Sequence, residues 1–160
     1  MAFDILILNG TIVDGTGKPR YRSDLGICGD RIESIGSLST VEAERIIDAS
    51  GFVISPGFID MHSHSDRTLL YEPRAESRVH QGITTEVVGN CASTPFPVGI
   101  GGQDALDRSH VAGLRWDWTD LDGWANHLET QGISLNVAPQ VGHAAIRIAV
   151  GVSDNRPPTE

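Results

Sequence analysis

The sequence predicts a mixed α/β chain, in which a small β-rich segment precedes the first repeats of a parallel β/α fold. Residues 1–56 hold short apolar stretches separated by glycine-containing turns, which is typical of antiparallel strands. In residues 57–160, strand-like apolar segments alternate with segments of helical periodicity. That alternation is typical of parallel strands joined by crossover helices, so the two segments are interpreted as two structural units.

The first segment is predicted to form a small antiparallel unit with one buried face. Asn9 and Gly10 stand between two apolar runs, a combination that favours a two-residue hairpin turn. Gly29 and Asp30 predict a second hairpin by the same criterion. The predicted strands span residues 4–10, 11–15, 24–28, 31–35, 44–48 and 52–54.

The second segment is predicted to hold about three β/α units. A glycine-rich loop is expected at residues 99–102, and residues 155–160 are expected to lead into a further helix. Because a closed (β/α)8 barrel needs eight units and about 250 residues, the sequence predicts an incomplete barrel. The predicted elements are strands at residues 58–62, 83–88 and 133–138, and helices at residues 73–81, 119–131 (with Thr119 as its cap) and 144–150.

Charge and composition argue against several classes of protein. The chain carries 12 basic and 21 acidic residues, a formal net charge of -9, and no basic run, so a nucleic-acid or anionic-membrane partner is not expected. No apolar stretch is long enough for a transmembrane helix, and the N-terminus has no secretory signal pattern. Two cysteines, Cys28 and Cys91, are too few for a disulfide scaffold, which predicts a reduced, cytoplasmic setting.

His62 and His64 are the strongest candidates for chemistry. They lie at the carboxyl end of an apolar strand, which is where (β/α)8 enzymes build their sites. Residues two apart in an extended backbone point to the same side, so the two imidazoles can reach one metal ion. The alternative is a pair of solvent-exposed loop histidines, which the position after a buried strand disfavours.

Cys91 follows the strand predicted at residues 83–88, so it falls on the same edge of the sheet. A thiolate is a good zinc ligand, and this position allows Cys91 to face the same centre as His62. The alternative is a small buried apolar residue, which is what most free cysteines are, and spacing alone favours that alternative. Cys28, inside a hairpin strand, is interpreted as structural.

His143 and Arg147 follow the strand predicted at residues 133–138. His143 lies near a helix start and is a candidate substrate or oxyanion contact, although local helix packing explains it equally well. Arg147 lies one helical turn further and can hold a substrate carboxylate or face solvent. The other three histidines, His80, His110 and His127, are expected on exposed surfaces.

These segments resemble the N-terminal part of the amidohydrolase superfamily and, within it, the D-aminoacylase (N-acyl-D-amino-acid deacylase) group. The His-x-His strand at residues 55–66 is shared widely across the superfamily. The Asn-Cys and Gly-His-x-x-x-Arg segments that end at Cys91 and Arg147 are more discriminating. Together with the opening segment, residues 7–17, the likeness covers essentially the whole chain.

The resemblance implies a fold in which residues 1–56 are part of a small β-sandwich and residues 57–160 begin a TIM (β/α)8 barrel that this chain leaves incomplete. By resemblance, His62 and His64 belong to the first metal position, and Cys91 is the ligand of a tightly bound zinc, with a second, weak site possible. The remaining histidine ligands and the general-base aspartate are expected beyond residue 160.

Two details bear on the ligand set that the resemblance implies. The carbamylated lysine of hydantoinases is not expected, because the only lysine of the chain, Lys18, lies in the first hairpin turn. That agrees with the cysteine version of the site. Ala92 departs from the glycine that family members often carry after the cysteine, and its Cβ can alter the approach of the backbone to the metal.

The function implied by the resemblance is zinc-dependent hydrolysis of linear amide C–N bonds that are not peptide bonds. A small N-acyl-D-amino acid would yield a D-amino acid and a carboxylate, with His143 and Arg147 as substrate contacts. The chain is expected to be an N-terminal fragment, inactive alone, whose partner is the missing C-terminal part of the same fold.

Two alternatives remain open at this point. The first is a cyclic-amide hydrolase of the hydantoinase or dihydroorotase kind, against which the spacing of Arg67 from His64 argues mildly. The second is a non-catalytic zinc module, in which His62, His64, Cys91 and His143 complete a closed tetrahedral site.

Overall fold

A computed structural model of the chain describes residues 2–99 and 116–157. His110 and most of the glycine-rich loop predicted at residues 99–102 lie outside the described residues. The chain divides into two compact units, residues 1–56 and residues 57–160. No helix among the described residues combines the length and the apolar character needed to cross a bilayer.

The first unit is a five-stranded sheet with β1 at its centre, in the order β3-β2-β1-β4, with β5 pairing β1 as well. β1 runs antiparallel to β2 but parallel to β4 and β5, so the prediction of a wholly antiparallel unit is wrong. The reason is that the chain crosses over after the β2–β3 hairpin and returns along the far edge of β1. The strands are β1 (Phe3–Ile12), β2 (Tyr21–Cys28), β3 (Arg31–Gly36), β4 (Ala43–Asp48) and β5 (Val53–Ile54).

The hairpin predicted at Asn9 and Gly10 is also wrong. Asn9 adopts a φ of +64°, but β1 continues through it as a bulge, and pairing with β2 resumes at Gly10 opposite Ser23. Gly10 packs against Ile54, and a Cβ there would lie 2.2 Å from the Ile54 Cδ1 atom unless that side chain moved. The second predicted hairpin is confirmed, because β2 and β3 pair directly on either side of residues 29–30.

The second unit contains a parallel three-stranded sheet in the order β6-β7-β8, as the alternation of strands and helices predicts. β7 spans the predicted residues, whereas β6 and β8 are shorter than predicted. β6 ends at Asp60, whose carboxylate accepts from the His62 N–H at 3.0 Å in place of a ladder bond. The elements are β6 (Phe58–Asp60), α1 (Ser65–Thr68), α2 (Glu76–Val79), β7 (Ile83–Val88), α3 (Leu121–Gln131), β8 (Asn136–Pro139) and α4 (His143–Ala149).

The core of this unit joins α3 to β7 and to the segments that follow α1 and β7. Trp124 is 1% exposed and donates its indole N–H to the Asp66 carbonyl at 3.1 Å, which joins α3 to α1. The cap of α3 is Asp120, not Thr119, because the Asp120 carboxylate accepts from the Gly123 N–H at 2.9 Å. The buried apolar cluster consists of Leu69, Leu70, Ala75, Val88, Phe96, Trp118, Trp124, Leu128 and Leu135.

Candidate metal centre

Three loops meet at the carboxyl edge of the β6-β7-β8 sheet. The first carries His62 and His64 directly after β6, the second carries Cys91 after β7, and the third leads from β8 into α4. Because the three strands are parallel, their carboxyl ends share one edge. That topology brings side chains together that lie far apart in the sequence.

Side chains alternate between solvent and interior along the loop after β6. His62 and His64 are exposed, whereas Ser63 and Ser65 are 3% and 2% exposed. The Ser63 N–H donates to the Val87 carbonyl at 3.0 Å, so the segment stays aligned with β7 beyond the end of β6. The two imidazoles therefore leave the backbone on the same side, as their spacing predicts.

The structure brings His62, His64 and Cys91 together. His62 Nε2 lies 3.3 Å from Cys91 Sγ, and one ligand atom from each of the three residues lies within 4.8 Å of the other two. The two imidazole rings stand 5.5 Å apart and 70° to each other. Bonds of about 2.3 Å from zinc to sulfur and about 2.0 Å to nitrogen place two ligand atoms about 3.5 Å apart on a tetrahedral ion. Two imidazoles and one thiolate also suit zinc chemically, so the arrangement fits that ion.

Cys91 reaches this position through an unusual backbone. Cys91 and Ala92 adopt φ angles of +54° and +66°, two consecutive left-handed residues that turn the chain back toward the first loop. The Asn90 side chain donates to the carbonyls of Val87 at 2.8 Å and Ser63 at 3.2 Å. These bonds tie the second loop to the first immediately before the thiol.

The third loop packs on the same turn. The Ala92 carbonyl accepts from the N–H groups of Ala144 and Ala145 at 2.9 and 3.2 Å, in the first turn of α4. Gly142 allows this approach, since a Cβ there would lie 2.4 Å from the Ala92 carbonyl oxygen. The glycine of the Gly-His segment is therefore explained by close contact between two backbones.

His143 and Arg147 lie on α4, at the same edge of the sheet. His143 is exposed at the first position of α4, and it is not part of the ligand group formed within residues 2–99 and 116–157. Arg147 Nη2 donates to the carbonyls of Asp154 and Arg156 at 2.8 and 2.9 Å. Its guanidinium therefore holds the chain that follows α4.

Two charged residues lie beside the histidines. Asp66 is 2% exposed, and burial raises the pKa of its carboxyl, an effect that the neighbouring Arg67 and His64 side chains offset in part. Its Oδ2 atom has no hydrogen-bond partner among the residues that the structure describes. Arg67 donates to the Ser93 hydroxyl at 3.2 Å, so it joins α1 to the second loop.

Glu86 is a site residue that sequence reasoning did not identify. It is 0% exposed on β7, beneath the loop that carries the histidines, and it pairs with Arg78 and Ser65. The signal in the sequence that could have identified it is an acidic residue inside the β-branched run of Ile83–Val88. Such a residue indicates either an exposed strand face or a buried charge with a partner, and only the fold decides between them.

The remaining candidates lie elsewhere. Cys28 is a half-buried free thiol at the end of β2, in the first unit. His80 is exposed after α2, as predicted. His127 is not fully exposed: it stacks on Trp118 at 5.0 Å, and its Nδ1 lies 3.4 Å from the Asp117 carboxylate. The packing of α3 therefore partly overturns the surface prediction for His127.

Comparison with known proteins identifies close relatives. A sequence model of the Amidohydrolase family matches residues 45–156. The N-acyl-D-glutamate deacylase of Alcaligenes xylosoxydans xylosoxydans is 41% identical over 146 residues, which cover 91% of this chain and 30% of the relative. The D-aminoacylase of the same organism is 38% identical over 149 residues, which cover 92% of this chain and 31% of the relative.

A solved structure agrees with these sequence matches. The crystal structure of N-acyl-D-glutamate deacylase from Bordetella bronchiseptica, complexed with zinc and a phosphonate inhibitor, superposes with a TM-score of 0.83 at 39% identity. The match covers 94% of this chain and 31% of that chain. The chain therefore spans less than a third of the length of each of these three relatives.

Proposed function

This chain belongs to the amidohydrolase family, and we propose that it supplies part of the metal centre of a zinc-dependent hydrolase that deacylates N-acyl-D-amino acids. The observation that carries the proposal is the convergence of His62, His64 and Cys91 within 4.8 Å at the carboxyl edge of a parallel sheet. Their donor set suits zinc, and their position suits a catalytic site of a β/α enzyme.

The names of the relatives support the substrate class. An N-acyl-D-glutamate deacylase and a D-aminoacylase both release an amino acid from a linear amide, and each matches more than 90% of this chain. We infer the same bond type for the protein to which this chain contributes, with a D-amino acid and a carboxylate as products. In the same proposal, residues 1–56 belong to a β-sandwich and residues 57–160 begin a TIM barrel.

The roles proposed for the metal-site residues are supported by their convergence within 4.8 Å. His62, His64 and Cys91 would hold the zinc, with Cys91 as thiolate, and a second, weaker metal site would share part of this set. Bound zinc supplies a water of lowered pKa and polarises the amide carbonyl. A reducing, cytoplasmic setting, proposed from the two free cysteines, would keep the Cys91 sulfur available as a ligand.

His143 and Arg147 are proposed as substrate contacts. The contacts of Arg147 to two carbonyls engage only Nη2, so Nε and Nη1 retain donors for a carboxylate. Those carbonyl contacts also fix the guanidinium plane, which favours bidentate recognition. The general base is expected to be an aspartate beyond residue 160, so the chain alone is proposed to be inactive.

A closed structural zinc site has less support. Such a site needs four protein ligands, and within residues 2–99 and 116–157 the ligand group comprises His62, His64 and Cys91 without His143. A catalytic site leaves a coordination position for water, and here the positions that these three residues leave free are expected to be taken by water and by the histidine ligands expected beyond residue 160. The geometry therefore favours the hydrolase over the structural module.

Metal titration tests the centre directly. Titrated with Co²⁺, the chain is expected to bind the ion with a thiolate-to-cobalt charge-transfer band. Cys91→Ala should lose that band, and the matched variant Cys28→Ala should keep it, because Cys28 lies in the other unit. A chain that binds no cobalt, or whose band survives Cys91→Ala, would contradict the proposed centre.

Activity tests the substrate class. Co-expressed with the remaining part of the N-acyl-D-glutamate deacylase fold, the chain should release D-amino acid from N-acetyl-D-glutamate, and Cys91→Ala should abolish that release. The chain alone should hydrolyse no more than buffer. Hydrolysis of dihydroorotate or hydantoin by the pair, in place of the acyl amino acid, would favour the cyclic-amide alternative.

A further inference from the structure

A buried chain of polar side chains lies behind the two histidines. Glu86 is 0% exposed on β7, and both of its carboxylate oxygens are paired. Oε1 accepts from Arg78 Nε at 2.8 Å, and Oε2 accepts from the Ser65 hydroxyl. The Ser63 hydroxyl in turn donates to Ser65 Oγ at 3.2 Å. Hydrogen bonds therefore run without a break from α2, through β7, into the loop that carries His62 and His64.

The main chain of the loop is held at the same points. The Ser65 N–H donates to Ser63 Oγ at 3.3 Å, and the Ser63 N–H donates to the Val87 carbonyl at 3.0 Å. The Ser63 carbonyl accepts from the Asn90 side chain at 3.2 Å. The Ser63 N–H, the Ser63 carbonyl and both serine hydroxyls are thus hydrogen-bonded to partners inside the unit.

This anchoring sets the direction of the imidazoles. Burial alternates along residues 62–65, so holding Ser63 and Ser65 in the interior leaves His62 and His64 exposed, with His62 Nε2 3.3 Å from Cys91 Sγ. A displaced Ser65 would rotate the backbone of its neighbour His64. The spacing of the two imidazoles, and hence their fit to one ion, depends on the two serines.

Stability alone does not explain a charge at position 86. A buried ion pair is on average no more stabilising than well-packed apolar side chains of the same volume, because desolvation offsets the attraction of the charges. Arg78 is also 36% exposed, so it neutralises Glu86 from one side only. An apolar residue at position 86 could not accept a hydrogen bond from the Ser65 hydroxyl.

We propose that Glu86, held by Arg78, is a positioning residue that orients His62 and His64 for metal binding by anchoring Ser65 and Ser63. The inference rests on the proposed metal centre. It assigns Glu86 no contact with metal or substrate. Groups that hydrogen-bond directly to metal ligands change metal affinity by about 10- to 100-fold. Glu86 acts through Ser65 and Ser63, so its effect is expected near the lower end of that range.

Cobalt titration of a variant series tests the inference. Ser65→Ala and Glu86→Gln are each expected to weaken Co²⁺ binding by about 10-fold or more. The double variant is expected to be no weaker than either single variant, because both changes break the same path. The matched control is Ser77→Ala on α2, which contacts Arg78 Nη1 at the exposed surface and does not touch Glu86.

Two readouts separate positioning from general stability. Thermal melts by circular dichroism report folding, and the cobalt spectrum at saturation reports the geometry of the bound ion. A purely structural Glu86 would change the melting temperature and leave the saturated spectrum as in the parent chain, which would overturn the inference. Parent-like cobalt affinity in Ser65→Ala would overturn it too. If Glu86→Gln fails to fold, the cobalt affinity of Ser65→Ala alone tests the inference.

The outcome for the parent chain distinguishes this inference from the proposed function. If the parent binds cobalt and Ser65→Ala binds it equally well with the same spectrum, only the positioning role is wrong. If the parent takes up no cobalt, the metal centre and the positioning role are both wrong. Equal losses in Ser65→Ala and Ser77→Ala would also overturn the role of Glu86.

Discussion

At the scale of single residues, the candidate metal centre depends on backbone conformations that its side chains do not favour. Cys91 and Ala92 both lie in the left-handed region, at φ angles of +54° and +66°. For a residue with a Cβ, that region costs about 1–2 kcal/mol relative to the right-handed one. Strain of this kind persists where surrounding contacts determine the backbone, and here the contacts are those of Asn90 and of the first turn of α4.

Ala92→Gly is expected to stabilise the chain by about 1 kcal/mol, since glycine removes the Cβ clash while costing some additional chain entropy. The measurement is the free energy of unfolding by urea. Ala125→Gly, inside α3, is the matched control and should destabilise by about 1 kcal/mol, because its backbone is helical. A destabilising effect at both positions would show that Ala92 is not strained.

The same residues explain how far the site could be predicted. The common direction of His62 and His64 follows from their spacing of two directly after a strand, which is a local property. The position of Cys91 does not, because spacing alone favours a buried thiol, whereas the structure exposes it beside His62. The difference arises from two left-handed residues, Cys91 and Ala92, whose residue types give no indication of that conformation.

At the scale of elements, carboxylates accept from free backbone N–H groups at the start of α3 and at the β1 bulge. In α3 the Asp120 carboxylate accepts from the Gly123 N–H at 2.9 Å. In the first unit the Asp24 carboxylate accepts from the Asn9 N–H at the β1 bulge and from the Leu38 N–H, both at 2.8 Å. Each of these acceptors satisfies backbone donors that regular hydrogen bonding leaves free.

Asp120→Ala is expected to lower the free energy of unfolding by about 1 kcal/mol, because it removes the cap of α3. Thr119→Ala, one residue earlier, should change it by less than about 0.5 kcal/mol, since Thr119 contributes its backbone carbonyl to Val98 and that carbonyl remains. Urea denaturation of both variants gives the comparison. A larger loss of unfolding free energy in Thr119→Ala than in Asp120→Ala would show that Thr119 caps α3, as the sequence pattern predicts.

Asp24→Asn is expected to destabilise the first unit by about 2 kcal/mol at pH 7, because a charged acceptor of two backbone N–H groups is lost. These hydrogen bonds, to Leu38 and Asn9, hold the pKa of Asp24 below its usual 3.8. The folded state therefore binds the proton less readily than the unfolded state. The contribution is complete well above pH 3.8 and is lost as the pH falls through the lower, folded-state pKa.

The measurement for Asp24 is the free energy of unfolding of the parent chain and of Asp24→Asn between pH 7 and strongly acid pH. The difference in unfolding free energy between the parent chain and Asp24→Asn should become smaller as the pH is lowered. Asp30→Asn, on the exposed β2–β3 hairpin, is the matched control. A difference that stays constant across this range would mean that the Asp24 charge contributes nothing.

At the scale of the whole molecule, the chain has two compact units, and all three candidate ligands lie in the second. A ligand that binds the folded state stabilises the structure that forms its site, by about 2.7 kcal/mol at about 100 times its Kd. Local stabilisation can be measured amide by amide, because hydrogen exchange reports the opening of each segment.

Zinc is expected to slow amide exchange in the loops after β6 and β7 and to leave exchange in residues 3–54 unchanged. Chelation should reverse the effect, and Cys91→Ala should abolish it. Exchange followed by mass spectrometry, with and without zinc, is the measurement. Equal protection of both units, or none in the second, would contradict a metal site formed by His62, His64 and Cys91.

The sequence by itself determined the features that depend on local periodicity and local turn chemistry. The parallel β/α arrangement, β7, the hairpin at residues 29–30 and the common direction of His62 and His64 all follow from patterns within a few residues. Helix α3 follows in the same way, from the helical spacing of Leu121, Trp124 and Leu128.

Only the tertiary structure decided which distant groups meet. At Asn9, β1 continues as a bulge instead of turning, and both β2 and β5 pair with the residues that follow it. Glu86 became a buried acceptor because Arg78 and Ser65 approach it from two other elements. The physical reason is that residue type and period specify which face a side chain takes, whereas its partners depend on how the chain closes over tens of residues.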